Sequence, residues 1–208
     1  MKKNLLISLI LIAALVVSGC ATFTEKPGGG NRGSQSKVET SGITEIGQFE
    51  FIAFNANGQE IWRDEFHNIL SDGGEQSFLD CYLRAQNCPT TFWLRLSNPT
   101  NCGNASAETS SLATIATSEP TTNGYATKEL TRNTLGWTSL ALDSGDYQAT
   151  AAVQTFNASG GSWGPVTCAF IATTSDNTGV FVASGALSTS RTLANGESLQ
   201  VTYRIKLQ

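Results

Sequence analysis

The chain has 208 residues, of which 14% are charged and 40% are hydrophobic, and its formal net charge is −4. This composition excludes a largely disordered chain, and the length suits a single all-β domain. A mildly acidic chain without a block of lysine or arginine excludes nucleic acid as an electrostatic partner, and it offers no polybasic patch to anionic lipid.

The N-terminus has the layout of an export signal. Two lysines precede an apolar run at residues 5–17, and Val17-Ser18-Gly19-Cys20 closes it. The run is shorter than the about 20 apolar residues that span a bilayer, which favours a cleaved signal over an uncleaved apolar helix. The closing residues resemble the lipobox of bacterial lipoproteins. This resemblance implies lipidation at Cys20, and Ala21 in place of aspartate implies the outer membrane or cell surface.

A flexible tether follows the signal. Residues 20–42 are rich in glycine and serine and have no apolar periodicity, so they cannot bury enough surface to offset the entropy of ordering. The sequence therefore predicts three parts: a lipoprotein signal peptide at residues 1–19, a tether at residues 20–42 and a folded domain at residues 43–208.

The folded domain begins with a hairpin and a helix. Residues 48–54 and 59–66 have strand character and flank the turn signal Asn55-Ala56-Asn57-Gly58, which predicts a β-hairpin. Residues 75–84 then carry apolar side chains at helical spacing, after a cap at Ser71 or Asp72. We expect this helix to close one edge or end of a sheet. The apolar side chains are Phe78, Leu79, Tyr82 and Leu83.

A strand at residues 91–97 precedes a long polar stretch at residues 98–123. A structureless loop of this length indicates function or mobility. The alternative is a surface excursion that Cys102 attaches to the domain.

The remainder of the chain is β in character. Strand candidates at residues 135–138, 147–156, 166–173, 180–183 and 199–207 are separated by turn signals. Short strands at this spacing predict a mainly β fold: a single antiparallel β-sandwich, of jelly-roll or Ig-like type, with one short α-helix.

The cysteines favour disulfides. Once Cys20 is set aside, an even number remains in an exported chain: Cys81, Cys88, Cys102 and Cys168. We expect the pairs Cys81–Cys88, by proximity, and Cys102–Cys168, with four free thiols as the alternative. A metal site is disfavoured, because the spacing is not that of CxxC and the one histidine, His67, lies in another segment.

No catalytic constellation is evident, so we expect no enzyme activity, no cofactor and no metal. His67 would have to act alone, and Asp64 and Glu65 point to opposite faces of an extended strand. The four tryptophans favour packing. Trp163 is the candidate for surface contact or sugar stacking, because glycines flank it and would leave its ring at one end of the sandwich.

Four segments, in this order, resemble small phage-encoded virion proteins of the tail-fibre-like, minor structural or decoration kind. They are a hairpin that runs into a helix (residues 58–70), a Gly-Tyr segment with Thr127 where arginine is common (124–132), a glycine turn before Trp-Gly (156–166) and a Leu-x-x-Ser-x-x-Leu stretch (185–193). The resemblance implies a non-enzymatic structural or adhesive module. Its partners would be copies of itself or other virion proteins.

The lipobox and the virion resemblance imply different locations, because typical virion components carry no lipoprotein signal. The chain is expected to be lipid-anchored at Cys20 or incorporated in a virion. The alternative function is a bacterial or prophage-encoded surface lipoprotein that binds glycan or blocks a phage receptor.

Overall fold

The computed structural model describes residues 45–207, and the side chains of residues 47–207. The predicted signal peptide, lipidation site Cys20 and tether lie outside the described residues. Within this range the chain forms eleven strands and three helices. They are β1 (Glu45–Phe54), β2 (Glu60–His67), β3 (Ile69–Leu70), α1 (Asp72–Arg84), β4 (Thr91–Ser97), α2 (Ala105–Glu108), α3 (Leu112–Ile115), β5 (Lys128–Thr131), β6 (Trp137–Asp143), β7 (Asp146–Ala151), β8 (Gln154–Asn157), β9 (Trp163–Ala172), β10 (Phe181–Leu193) and β11 (Ser198–Leu207).

The strands form two antiparallel sheets. Sheet A has the order β2-β1-β11-β7-β6, and β8 also pairs with β11. β8 pairs with the first half of β11, and β7 pairs with its second half. Sheet B has the order β3-β10-β9-β4-β5. The predicted mainly β, antiparallel sandwich is therefore confirmed.

The main core lies between the two sheets, because alternate residues along each strand face inward. Phe49, Phe51 and Val201 from sheet A meet Leu94 and Ile171 from sheet B, and none of these side chains is more than 1% exposed. Burial of one such side chain stabilises the fold by about 1.5–3 kcal/mol. Because these residues must face the core, the residues that alternate with them along each strand face outward.

The turn between β1 and β2 is built as predicted. The side-chain Oδ1 of Asn55 accepts hydrogen bonds from the backbone N–H groups of Asn57 and Gln59 at 2.9 and 3.0 Å. Gly58 has φ +77°, in the left-handed region that glycine adopts without steric cost. The Asn-Gly signal thus marks the hairpin by local chemistry alone.

Residues 98–123 form a third layer over the outer face of sheet B. The sequence predicted one helix and treated this stretch as an open loop. It contains α2 and α3, whose first turns are capped by the side chains of Asn104 and Ser111. A second apolar cluster lies beneath them, made by Ala107, Leu112 and Ile115 with Cys168, Phe170 and Ala172 of β9. The stretch therefore covers the sheet as the predicted surface excursion would.

Helix α1 packs on β10 through its small residues. The Ser71 hydroxyl caps the helix by accepting from the backbone N–H of Gly74 at 3.0 Å, and it donates to the carbonyl of Phe181 at 2.5 Å. A Cβ on Gly74 would lie 2.3 Å from the carbonyl oxygen of Val182. The helix therefore reaches this position only because Gly74 has no side chain.

Gly74→Ala is expected to lower the free energy of unfolding by about 1–3 kcal/mol, the range for overpacking a tight contact. The added methyl must move α1 away from β10, because the atom that it meets is backbone. Urea unfolding of the variant measures the loss. Gln76→Ala, at an exposed position of the same helix, is the matched control, and equal stabilities of the two variants would contradict the close contact.

Candidate functional site

Two disulfides secure surface segments of the domain. Cys102–Cys168 joins residues 98–123, which we call the covering segment, to β9, and its two cysteines are 66 positions apart in sequence. Cys81–Cys88 closes the C-terminal end of α1. Both pairs are those that the sequence favoured. The covering segment is therefore attached covalently to the sandwich, and the last turn of α1 is attached to the loop that follows it.

A buried ion pair attaches the C-terminal part of the covering segment to β4. Arg95 of β4 is 3% exposed, and its Nη2 lies 2.5 Å from Oε2 of Glu119, whose side chain is 12% exposed. The guanidinium also donates to the backbone carbonyl of Asp176 at 2.6 Å and to Oδ1 of Asn177 at 2.9 Å. One cation thus joins β4, the covering segment and the loop between β9 and β10.

Tyr125 completes this network. Its hydroxyl donates to Oε1 of Glu119 at 2.7 Å and accepts from the backbone N–H of Leu96 at 2.9 Å. Burial raises the pKa of the Tyr125 phenol well above its ordinary value, and the adjacent Glu119 carboxylate raises it further. The phenol therefore stays neutral and acts as a structural donor.

The raised pKa predicts a loss of stability at alkaline pH that depends on Tyr125. The unfolded phenol ionises near its ordinary pKa of about 10, whereas the folded state holds the proton to higher pH. Stabilisation is thus complete below pH 10 and declines above it by about 1.4 kcal/mol per pH unit.

Urea midpoints measured between pH 7 and 11 test this dependence. Tyr125→Phe should be about 1 kcal/mol less stable than wild type at pH 7, and the difference should shrink as the pH rises above 10. Tyr147→Phe, which removes an exposed hydroxyl, is the control for stability at pH 7. A difference that is as large at pH 11 as at pH 7 would contradict the raised pKa.

A cleft of 760 Å³ opens on the outer face of sheet B, between α1 and the loop that follows β9. Its lining includes Trp93 of β4, Asp80, Asp176 and Asn87. The carboxylates of Asp80 and Asp176 already accept hydrogen bonds from Arg84 and Thr178. An aromatic side chain beside several acceptors and donors offers a small polar ligand both stacking and hydrogen bonds.

The apolar stripe of α1 points to solvent. Phe78, Leu79, Tyr82 and Leu83 are between 50% and 77% exposed, and we call them the helix patch. The rings of Phe78 and Tyr82 stack with centroids 5.9 Å apart. The sequence predicted a helix at one edge or end of a sheet and left the direction of its apolar stripe open. In the structure the large side chains face outward and the small residues face the sheet.

A second exposed apolar surface lies on the hairpin of β6 and β7 and on the last residue of β11. Leu140, Leu142, Tyr147 and Leu207 are between 44% and 73% exposed, and we call them the strand patch. The register places Leu140 opposite Ala149, and Ala149 opposite Ile205. Ile205 packs against the main core. The strand patch therefore extends the inner face of sheet A to a place where the other sheet leaves it uncovered.

Trp163 is a core residue, which corrects its interpretation as a surface-contact aromatic. Its side chain is 3% exposed. Its indole N–H donates to the carbonyl of Asn157 at 3.0 Å, and its ring lies 5.4 Å from that of Tyr125. The internal acceptor lets the indole turn inward although glycines flank it. A Trp163→Ala variant would therefore report on folding and not on sugar stacking.

The polar residues that the sequence analysis weighed as catalytic or metal-binding candidates do not form a common site. His67 is exposed at the end of β2, and Asp64 accepts hydrogen bonds from the backbone N–H and hydroxyl of Ser188 on β10. Within residues 45–207 no three histidine, cysteine, aspartate or glutamate residues are grouped so as to hold a metal ion. Over the same range no helix has the length and hydropathy needed to cross a membrane.

The family described as podophage GP4 fiber I protein gp80 matches residues 69–205, which is more than half of the chain. The chain belongs to this family. No match was found among curated proteins or among solved structures.

Membership of the podophage fibre family confirms the resemblance to phage virion proteins and makes the chain a phage structural protein. The matched range contains every strand of sheet B, α1, the covering segment and both disulfides. It also contains the helix patch and all but Leu207 of the strand patch. The lipobox-like residues 17–20 precede it.

Sequence reasoning missed the Arg95 network and both patches. The partners of Arg95 are distant in sequence, and an arginine in an alternating strand gives no sign that it will be buried. The helix patch had a signal, because Gly73 and Gly74 lie on the opposite side of α1 from the large apolar residues, where a close contact needs small side chains.

Proposed function

We propose that the chain is a non-enzymatic structural and adhesive module of a phage particle, and that it works through self-assembly or surface contact. The observation that carries this proposal is the fibre-family match over residues 69–205. The architecture is suited to such a role, because Cys102–Cys168 and the Arg95–Glu119 pair attach the covering segment to sheet B, and Cys81–Cys88 secures the end of the helix that carries outward apolar side chains.

The proposal is tested with a phage that lacks the codons for residues 45–207. Its particles should lose a fibre or other appendage in negatively stained electron micrographs, and adsorption to host cells should fall at least tenfold. Wild-type chain supplied from a plasmid should restore both. Deletion particles with the same appendages and the same adsorption as wild type would refute the structural role.

The cleft favours sugar as the adhesive target. Trp93 in its lining offers a ring for stacking, and Asp80, Asp176 and Asn87 are polar residues of the same lining. Loss of one aromatic stacking contact with a nucleobase costs about 1–3 kcal/mol. We expect a similar cost for a sugar ring, so Trp93→Ala should weaken binding to isolated host surface glycan at least fivefold. Trp93→Phe keeps a ring and should bind more tightly than Trp93→Ala. Equal binding by wild type and Trp93→Ala would exclude the cleft.

A second candidate is a prophage-encoded lipoprotein at the cell surface that blocks a phage receptor. The residues Val17-Ser18-Gly19-Cys20 after an apolar run favour it. Radiolabelled palmitate should then label wild type in cells and leave Cys20→Ser unlabelled, and only wild type should fractionate with the outer membrane. An unlabelled and uncut wild-type chain would refute lipid anchoring and leave the virion role.

A further inference from the structure

We propose that the helix patch of one copy packs on the strand patch of a second copy, so that the chain assembles head to tail. This inference rests on the proposed structural role and names the two surfaces that would carry it. Within residues 45–207 no other element covers either patch. The helix patch could cover an exposed sheet face, and the strand patch is such a face.

The helix patch is a prepared contact surface. The Ser71 cap and the Cys81–Cys88 disulfide fix the two ends of α1. The small residues Gly73 and Gly74 take the face toward β10, so the large side chains are left outward as one stripe. An amphipathic helix normally buries its apolar stripe against another layer. Here the layer that would bury it must come from another molecule.

The strand patch is a part of the inner face of sheet A that sheet B does not cover. Its side chains share the inner face of sheet A with Ile205, which packs in the core, but they extend past the cover that sheet B provides. An inner sheet face is stable when a sheet or a helix packs on it. A helix that presents four large apolar side chains is therefore a suitable cover.

The two patches are also similar in size. Given their exposed fractions and the area of large side chains, each patch offers roughly 450–500 Å². Their contact would bury about 1,000 Å² in total, which is the lower limit for a specific interface. Because the patches are different surfaces of the same chain, the contact is heterologous and generates a ring or an open chain of copies.

Two surface variants of the full chain test the proposal by sedimentation velocity, with Cys20→Ser in every sample to exclude association through lipid. Tyr82→Ser/Leu83→Ser alters the helix patch, and Leu140→Ser/Leu142→Ser alters the strand patch. Wild type should form species of several copies, and each variant alone should be monomeric at the same concentration. Ile61→Ser, at an exposed position of β2 outside both patches, should assemble as wild type. Far-ultraviolet circular dichroism verifies that all variants fold.

A mixture of the two variants is the decisive sample. Each variant retains the patch that the other has lost, so the equimolar mixture should form one-to-one dimers and nothing larger. A monomeric mixture would overturn the proposal, as would assembly by either variant alone. Wild type that is monomeric at all concentrations would overturn it too, whereas loss of appendages from deletion particles would still support the proposed structural role.

Discussion

Glu119→Ala is expected to lower the free energy of unfolding by about 3–5 kcal/mol, the usual cost of removing one partner of a buried ion pair. The side chain of Arg95 would remain buried without its carboxylate, and Tyr125 would lose its 2.7 Å hydrogen bond to that carboxylate, keeping only the carbonyl of Leu96 at 3.3 Å as an acceptor. The loss should also detach the covering segment from β4. Urea unfolding at pH 7 measures the stability, and hydrogen exchange of residues 105–115 measures the detachment.

The double variant Arg95→Met/Glu119→Leu separates two causes of the lower stability: loss of the ion-pair interaction, and burial of the Arg95 charge without a partner. Replacement of both charges by apolar side chains removes the cost of a lone buried ion, so this variant should be more stable than Glu119→Ala. Glu60→Ala, which removes a partly exposed carboxylate paired with Arg63, should change stability by less than about 1 kcal/mol. A Glu119→Ala protein as stable as Glu60→Ala would contradict the structural role of the pair.

Removal of the long-range disulfide by Cys102→Ala/Cys168→Ala should cost about 4 kcal/mol, from the chain entropy that a 66-residue loop releases in the unfolded state. The covering segment would then depend on the Arg95–Glu119 pair, on hydrogen bonds such as that from the Ser97 hydroxyl to the carbonyl of Ile115, and on its apolar contacts with β9. We expect faster proteolysis within residues 98–123 and a lower urea midpoint.

Cys81→Ala/Cys88→Ala is the internal comparison for this prediction. Its loop spans 7 residues, so the same entropy argument gives a cost of about 2 kcal/mol. The difference between the two double variants therefore measures the effect of loop length with the same chemistry. If loss of Cys102–Cys168 destabilises the protein no more than loss of Cys81–Cys88, the covering segment is not held as described.

The parts of the fold that the sequence predicted have local causes. The hairpin follows from Asn55 and Gly58 at one turn, and Cys81 and Cys88 pair because one short segment brings them together. The last strand, β11, alternates clearly because it is central in sheet A and has one face in the core. In each case neighbouring residues determine the structure.

The parts that the sequence did not predict depend on distant contacts. Helical spacing showed that α1 has an apolar stripe, but the direction of the stripe depends on the fit of Gly74 against Val182 of β10. Trp163 turned inward because Asn157 offers its indole an acceptor. Residues 98–123 appeared to be a polar loop, because the apolar surface that they cover comes mainly from β9.

Mass spectrometry of gradient-purified phage particles tests the central claim most directly. Peptides from residues 45–207 should be present in constant ratio to the major capsid protein across the particle peak, and they should be absent from particles of the deletion phage. If the peptides are missing from wild-type particles and found only in host membranes, the chain is not a structural part of the particle.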